Sequence, residues 1–197
     1  MIALIASFLI ATNAPAAEVV RSCRAMIPSD VEIQGRIVLR NRRGIVQAEH
    51  DYVLVRSNDV TRLTIDGAAF DPPADGRQTP AAGMLGTDVT WSDLTLDYLG
   101  WADVSYDENP ESETVHGQVC RVILMKRGDR TVRVWIDRKT GALMQAEEMK
   151  DGKACRRLWG TRIRKFGERW MANVMEVETL GSGHRTKITV EKLDNER

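Results

Sequence analysis

From residue 114 to the end, the chain alternates apolar and polar residues in blocks, and each block ends on a turn signal. The blocks are 114–126, 130–137, 142–149, 153–165, 168–179 and 184–193. Between them stand Arg127-Gly128-Asp129, Arg138-Lys139-Thr140-Gly141, Asp151-Gly152, a turn at Gly167, and residues 180–183. Alternation at period two predicts strands, and Asp-Gly is a strong two-residue hairpin signal. No helical pattern intervenes, so this half cannot form a parallel sheet; it reads as a meander of six antiparallel strands. Long antiparallel strands twist, and a sheet of roughly nine or ten of them curls toward a barrel. In the block at 130–137, Val132, Val134 and Ile136 face one way and Thr131, Arg133 and Trp135 the other. A sheet apolar on one face has to be covered.

The N-terminal third adds strands. Residues 18–27 predict a short helix ended by Pro28. Val31, Ile33, Gly35, Ile37 and Leu39 alternate with polar neighbours, the mark of a half-buried strand. Arg42-Arg43-Gly44 reads as a hairpin turn. A second strand follows over 45–56, with Val46, Ala48, His50, Tyr52 and Leu54 on one side, and a third over 60–66. Residues 67–83 are rich in proline and glycine and predict a long loop; such loops are usually functional or mobile. The loop leads into residues 86–101, GTDVTWSDLTLDYLGW, the one helix expected after the N-terminus. Thr90 and Asp93 fit its cap, and Trp91, Leu94, Tyr98 and Leu99 form an apolar stripe. After Trp101, Val104-Ser105-Tyr106 fits a short strand within a polar interval. The two short helices are too small to cover the apolar sheet face. That mismatch of areas predicts a lid helix over an internal apolar cavity.

Charge and cysteines bound the function. Lys plus Arg equal Asp plus Glu at 28 each. A balance near zero argues against nucleic acid, which calls for a basic face, and gives no general pull toward anionic lipid. Residues 1–17 predict a signal peptide: an apolar run over 2–10, then Ala14-Pro15-Ala16 as a small-x-small cleavage site. The run is too short to span a membrane. Arg21-Ser22 before Cys23 does not make a lipobox. The expectation is an exported protein with one domain over 18–197. Cys23, Cys120 and Cys155 fit either small buried hydrophobes or one bridge with one cysteine left over.

Catalytic patterns do not assemble. His50, His116 and His184 share no motif, and there is no metal-ligand spacing, nucleophile elbow or P-loop. No enzyme activity, cofactor or metal is expected. Asp88 and Asp93 suit the start of a helix, where carboxylates complement the dipole. Met125, Met144, Met149, Met171 and Met175 fit core filling and the lining of a lipid cavity equally. Arg156, Arg157, Arg162, Arg164 and Lys165 split between faces on alternating strand positions; a solvated strand edge is the default, with docking of an acidic partner as the alternative.

Residues 86–94, Gly-Thr-Asp-Val-Thr-Trp-Ser-Asp-Leu, resemble the Gly-Ser/Thr-Asp-Phe-x-aromatic-x-Asp-Leu signature of the LolA-like outer-membrane lipoprotein-sorting family. Val134-Trp135-Ile136-Asp137, Gly141 and the Asp151-Gly152 turn resemble that family's V-W-h-D hairpin, where h is apolar. His184-Arg185-Thr186 resembles its closing segment. Val89 stands where that family more often has an aromatic. The resemblance covers about 84–193. It implies a mainly β (α+β) fold: a curved antiparallel sheet forming an unclosed half-barrel, with a short N-terminal helix and a lid helix over an apolar cavity. It implies a periplasmic carrier for lipoprotein acyl chains or a similar lipid, with inner-membrane donor and outer-membrane acceptor proteins as possible partners. An envelope-stress sensor of the same fold is the alternative. The cavity and lid candidates are Trp91, Leu94, Tyr98, Leu99, Ile37, Leu39, Tyr52, Leu54, Val132, Val134, Ile136, Met144, Met171 and Met175.

Overall fold

The computed structural model describes residues 14–57, 60–70, 83–108, 113–166 and 169–194. Most of the expected leader, and most of the expected loop at 67–83, lie outside the described residues. The fold is mainly antiparallel β with few helices, is not closed into a barrel, and is consistent with an unclosed half-barrel. Its residues group into two compact units.

The first unit takes its described residues from 1–27 and 98–146. Helix α1 (Ala16–Ala25) starts behind Pro15 and buries Ala16, Val19, Val20 and Cys23. Ala14, at the expected cleavage site, is also buried, and the Tyr106 hydroxyl donates to its carbonyl at 2.5 Å. The strands are β5 (Asp103–Tyr106), β6 (Thr114–Val115), β7 (Gln118–Arg127) and β8 (Arg130–Asp137), in the order β8-β7-β5 with β6 beside β7. The single strand expected over 114–126 is therefore two. His116 (φ +50°) and Gly117 (φ +78°) make a tight turn between them, of the kind whose two central residues both need the left-handed region.

Register explains the packing of this unit. Ile123 lies opposite Val134 and Met125 opposite Val132, while Tyr106 pairs with Ile123 and Val104 with Met125. These side chains share one face. Tyr106 reaches from it to Ala14, just before α1, and α1 packs against β5 and β8. The opposite face departs from the expectation of a polar surface. Trp135 is buried there with Val115, Cys120 and Val122, and Met144 packs against them. Glu113 accepts the Trp135 indole N–H at 2.6 Å, and the Arg133 guanidinium sits 4.7 Å from the ring centroid. Glu113 and Val115 thus complete a second, smaller core, Val115 by packing within it and Glu113 by accepting the indole N–H. Asp137 ends the strand by accepting the Thr140 N–H at 2.8 Å, which holds the turn up to Gly141.

The second unit takes its described residues from 28–97 and 147–197. Its strands are β1 (Val31–Arg40), β2 (Val46–Ser57), β3 (Val60–Ile65), β4 (Ala68–Phe70), β10 (Lys153–Phe166), β11 (Arg169–Thr179) and β12 (Arg185–Asp194). Strand β9 (Leu143–Lys150) carries the chain from one unit into the other. The order here is β4-β3-β2-β1-β12-β11-β10. β4 falls inside the segment read from sequence as loop; the Asp66-Gly67 turn, both residues at positive φ, folds it back onto β3. β1 pairs with the last strand, β12, along its whole length. Gly35 permits this: a Cβ there would lie 1.9 Å from the Thr189 carbonyl oxygen and 2.9 Å from the Tyr52 ring.

Candidate lipid-binding site

Helix α2 is only Trp91–Thr95. The sequence pattern predicts one helix through residue 101, but Leu96 takes φ +53° and ends the α-helical turn; a 3-10 turn over Asp97–Gly100 follows. A left-handed leucine is strained, because its Cβ crowds the following carbonyl. Trp91 and Leu94 therefore belong to the second unit, and Tyr98 and Leu99 to the first.

The start of α2 is built as its sequence implies. The Asp93 carboxylate accepts the Thr90 N–H at 2.7 Å and the Thr90 hydroxyl at 2.9 Å, a capping-box arrangement. What the sequence did not reveal is the cation that completes it. The Arg156 guanidinium on β10 bonds the Asp93 carboxylate and donates to the Asp88 carbonyl at 2.6 Å and the Thr90 hydroxyl at 3.3 Å. Glu148 lies 3.5 Å away. The Arg156 and Asp93 side chains are only 4% and 7% exposed. Burial works against the guanidinium's charge; the Asp93 carboxylate, helped by Glu148, more than offsets it and raises the Arg156 pKa. Thr186 on β12 closes the network: its hydroxyl accepts the Asp88 N–H and donates to the Asp88 carboxylate, both at 3.1 Å. At the other end of α2, the Arg56 guanidinium of β2 donates to the Thr95 carbonyl. So the signature residues at 86–94 act as a dock: three strands of one sheet hold a single turn of helix by polar contacts.

The basic stretch does split between faces, and Arg156 departs from the solvated edge expected by default. Arg162, Arg164 and Lys165 are exposed, but Arg156 is in the interior. Strand parity was the available signal, since Arg156 falls in the same alternation as Leu158, an apolar-face position.

Register places the candidate lining residues of this unit. Ile37 lies opposite Ile188, Leu39 opposite Thr186, Ile33 opposite Leu54 and Gly35 opposite Tyr52. Met175 is opposite Ile188, Val177 opposite Thr186, and Leu158 opposite Val177. Directly opposed residues share a face. Ile37, Leu39, Tyr52, Leu54 and Met175 are therefore on the face that carries Thr186, and Arg156 belongs to it too. That is the face on which α2 docks. Ile37, Leu39, Tyr52 and Leu54 are buried, as are Trp91 and Leu94; Met171 and Met175 are half-buried. Burial pushes the Tyr52 phenol up, and the charge on Glu191 adds to this, so the ring stays neutral.

In the first unit Tyr98, Leu99, Val132, Val134 and Ile136 are buried, and Met144 is half-buried against the Trp135 cluster. The three β8 residues are buried on a strand that α1 packs against. All three cysteines are free thiols. Burial pushes Cys23 up to about 12 and Cys120 up to about 11. Among the described residues no cluster of His, Cys, Asp or Glu could hold a metal ion, and no helix is long and apolar enough to cross a membrane.

A protein-family model described as “-like: Uncharacterized protein” matches residues 76–197, more than half of the chain. The chain belongs to that family. No curated protein matches it. Solved structures do. A LolA superfamily protein of Nitrosomonas europaea superposes with a TM-score of 0.71 at 13% identity, over 93% of this chain and 94% of that one. A DUF1329 family protein of Desulfovibrio piger gives 0.67 at 14%, over 92% of each chain. A putative outer membrane lipoprotein-sorting protein domain of Vibrio parahaemolyticus gives 0.66 at 12%, again over 92% of each. The fold is that of the LolA superfamily and the lipoprotein-sorting proteins.

Proposed function

We propose that this protein is a periplasmic carrier that shields lipoprotein acyl chains, or a similar lipid, in transit toward the outer membrane. The observation that carries the reading is the docking of α2. A short apolar turn bearing Trp91 and Leu94 is held on the apolar face of the second unit by Arg156, Arg56 and Thr186. The fold shared with proteins named for lipoprotein sorting supports it.

Apolar contact alone would make α2 part of the core. Held by a few polar contacts, it can leave as a unit and expose Ile37, Leu39, Tyr52, Leu54 and Met175 to a guest. Each methylene taken out of water contributes about 0.8 kcal/mol, so one acyl chain repays the loss of several hydrogen bonds. Trp91 and Leu94 then close against the guest. Neither a cofactor nor a nucleotide enters this cycle, and donor and acceptor proteins would work on the same latch.

The test is Leu94→Glu. The carrier reading expects a folded protein whose binding of a fluorescent acyl probe falls at least about tenfold, since a charge has replaced the burial of about 2 kcal/mol of side chain. Global unfolding of this variant would make α2 core rather than lid. Unchanged probe binding would remove α2 from the site.

A further inference from the structure

The β1–β2 turn takes no part in the docking of α2, yet it is built with care. The Asn41 side chain accepts the N–H groups of Arg43 at 2.9 Å and Ile45 at 3.0 Å. The Asn41 N–H donates to the Ile45 carbonyl at 3.0 Å, and the Gly44 N–H to the Asn41 carbonyl at 2.8 Å. Gly44 supplies the positive φ that the turn requires. This fixed turn presents two consecutive β-branched side chains to water: Ile45 is 55% exposed and Val46 43%. The other large exposed apolar side chains of the described residues, Met26, Val60, Leu85 and Val119, stand singly, which is ordinary for a protein surface.

Arginines surround the pair. Arg40, Arg42 and Arg43 flank it, and no acidic residue occurs between Arg40 and Val46. Arg40 donates to the Gly44 carbonyl at 3.0 Å. Arg42 lies against Gly183, where a Cβ would meet its Nε at 2.9 Å, so the turn before β12 lies alongside. Arg185 stands opposite Arg40 in the β1–β12 ladder, and Lys187 opposite Val38.

We propose that this tip docks on an anionic lipid surface, with Ile45 and Val46 entering the headgroup region and Arg40, Arg42 and Arg43 engaging the phosphates. The form of the tip selects the partner. Two side chains on a convex turn are far short of the roughly 800 Å² per partner that a stable protein interface needs. A fluid interface asks for no complementary shape, and arginine stems lie along it while their heads reach phosphate. The chain's net charge of zero does not oppose this, because screening at physiological salt confines the attraction to about 8 Å, and residues 40–46 carry three arginines and no carboxylate; Arg185 beside them is held by Glu176 and Glu178 and is not counted.

The experiment is co-sedimentation with vesicles of phosphatidylglycerol and phosphatidylcholine in equal parts, against phosphatidylcholine alone. The expected result is partitioning to the mixed vesicles only, weakened by added salt. Arg42→Gln with Arg43→Gln should lower it about twenty-five-fold, at roughly fivefold per basic side chain. Ile45→Ser with Val46→Ser should lower it about tenfold, with an unchanged circular dichroism spectrum. Absence of partitioning by the natural protein overturns the proposal, and so does equal binding by either double variant. Binding that ignores Ile45→Ser/Val46→Ser and is displaced by inorganic phosphate or an acidic peptide would mark a soluble-anion or protein site instead. Acyl-probe binding should be the same in all three proteins. A natural protein that takes no probe would refute the carrier reading without touching this one.

Discussion

Replacing Arg156 by methionine removes the cation from the dock of α2 while keeping most of the side chain's volume. The substitution deletes the bond to the Asp93 carboxylate, the bond to the Asp88 carbonyl at 2.6 Å and the weaker one to the Thr90 hydroxyl at 3.3 Å. A hydrogen bond involving a charged group contributes about 1.5–3 kcal/mol. Removing one partner of a buried pair costs about 3–5 kcal/mol, because the other charge is left uncompensated. Both side chains are more than nine-tenths buried, so solvent screens little of this. The second carboxylate, Glu148, stays close to the vacated position and adds to the imbalance. If α2 stays docked, the loss appears as global destabilisation, a fall in Tm of roughly 6–20 °C at about 2–4 °C per kcal/mol. If α2 instead lets go, the loss stops at the free energy that held it, and amide exchange at residues 84–97 speeds up while the β1–β12 ladder stays protected. The dock predicts the second pattern, with the first as its upper bound. Urea denaturation and residue-resolved hydrogen exchange read the two together. A loss under about 1 kcal/mol with unchanged exchange at 84–97 would refute the reasoning, since it would mean that Arg156 does not hold the helix.

Other consequences follow from the packing. Ile136→Ala should cost about 2–5 kcal/mol in urea denaturation, as a fully buried side chain leaves a cavity, yet leave probe binding per folded molecule unchanged; lost binding would return Ile136 to the site. Gly35→Ala should destabilise by about 1–3 kcal/mol or more, because its Cβ would collide with the Thr189 backbone; an unchanged melting curve would count against the β1–β12 register. The hydrogen bond from His50, with that from the Asp51 N–H, holds the Asp66 carboxyl below its ordinary 3.8. A depressed folded pKa contributes stability that is present above 3.8 and lost as pH falls through the lower folded value. His50→Phe should therefore flatten melting temperature against pH in that acidic window, and an identical profile would show that the pair is not coupled. In the native protein Cys23 and Cys120, buried with raised pKa values, should react with a thiol reagent far more slowly than in urea; equal rates would contradict their burial.

The strands and most turns were legible because period-two alternation and Gly-containing turns are local signals. The capping box at Thr90 and Asp93 was legible for the same reason. Where prediction failed, a longer-range effect decided. Leu96 lies inside the stretch that the Trp91, Leu94, Tyr98 and Leu99 stripe marks as one helix, but its left-handed backbone ends the helix, and nothing in its side chain announces that. His116-Gly117 carries a hairpin signal in a block whose alternation reads as continuous. Trp135 alternates with Thr131 and Arg133 and so reads as outward-facing; what buries it is Val115, Cys120 and Val122, with Glu113 on its indole N–H. The candidate lining residues of β1 and β2 fell on one face as expected, since Ile37, Leu39, Tyr52 and Leu54 share a face in the β1–β2 register. Strand parity places Arg156 on the apolar face but names no partner for it: Arg156, Arg56 and Thr186 lie 63, 37 and 93 residues from Asp93, and only the folded sheet brings them to α2 and the residues before it.

The most direct test of the carrier account is native mass spectrometry of the protein purified gently from its own envelope. The account predicts a population heavier than the chain by the mass of a lipid or an acylated peptide, which Leu94→Glu loses. Ligand-free protein in every preparation, which also fails to take up an added acyl probe, would contradict it.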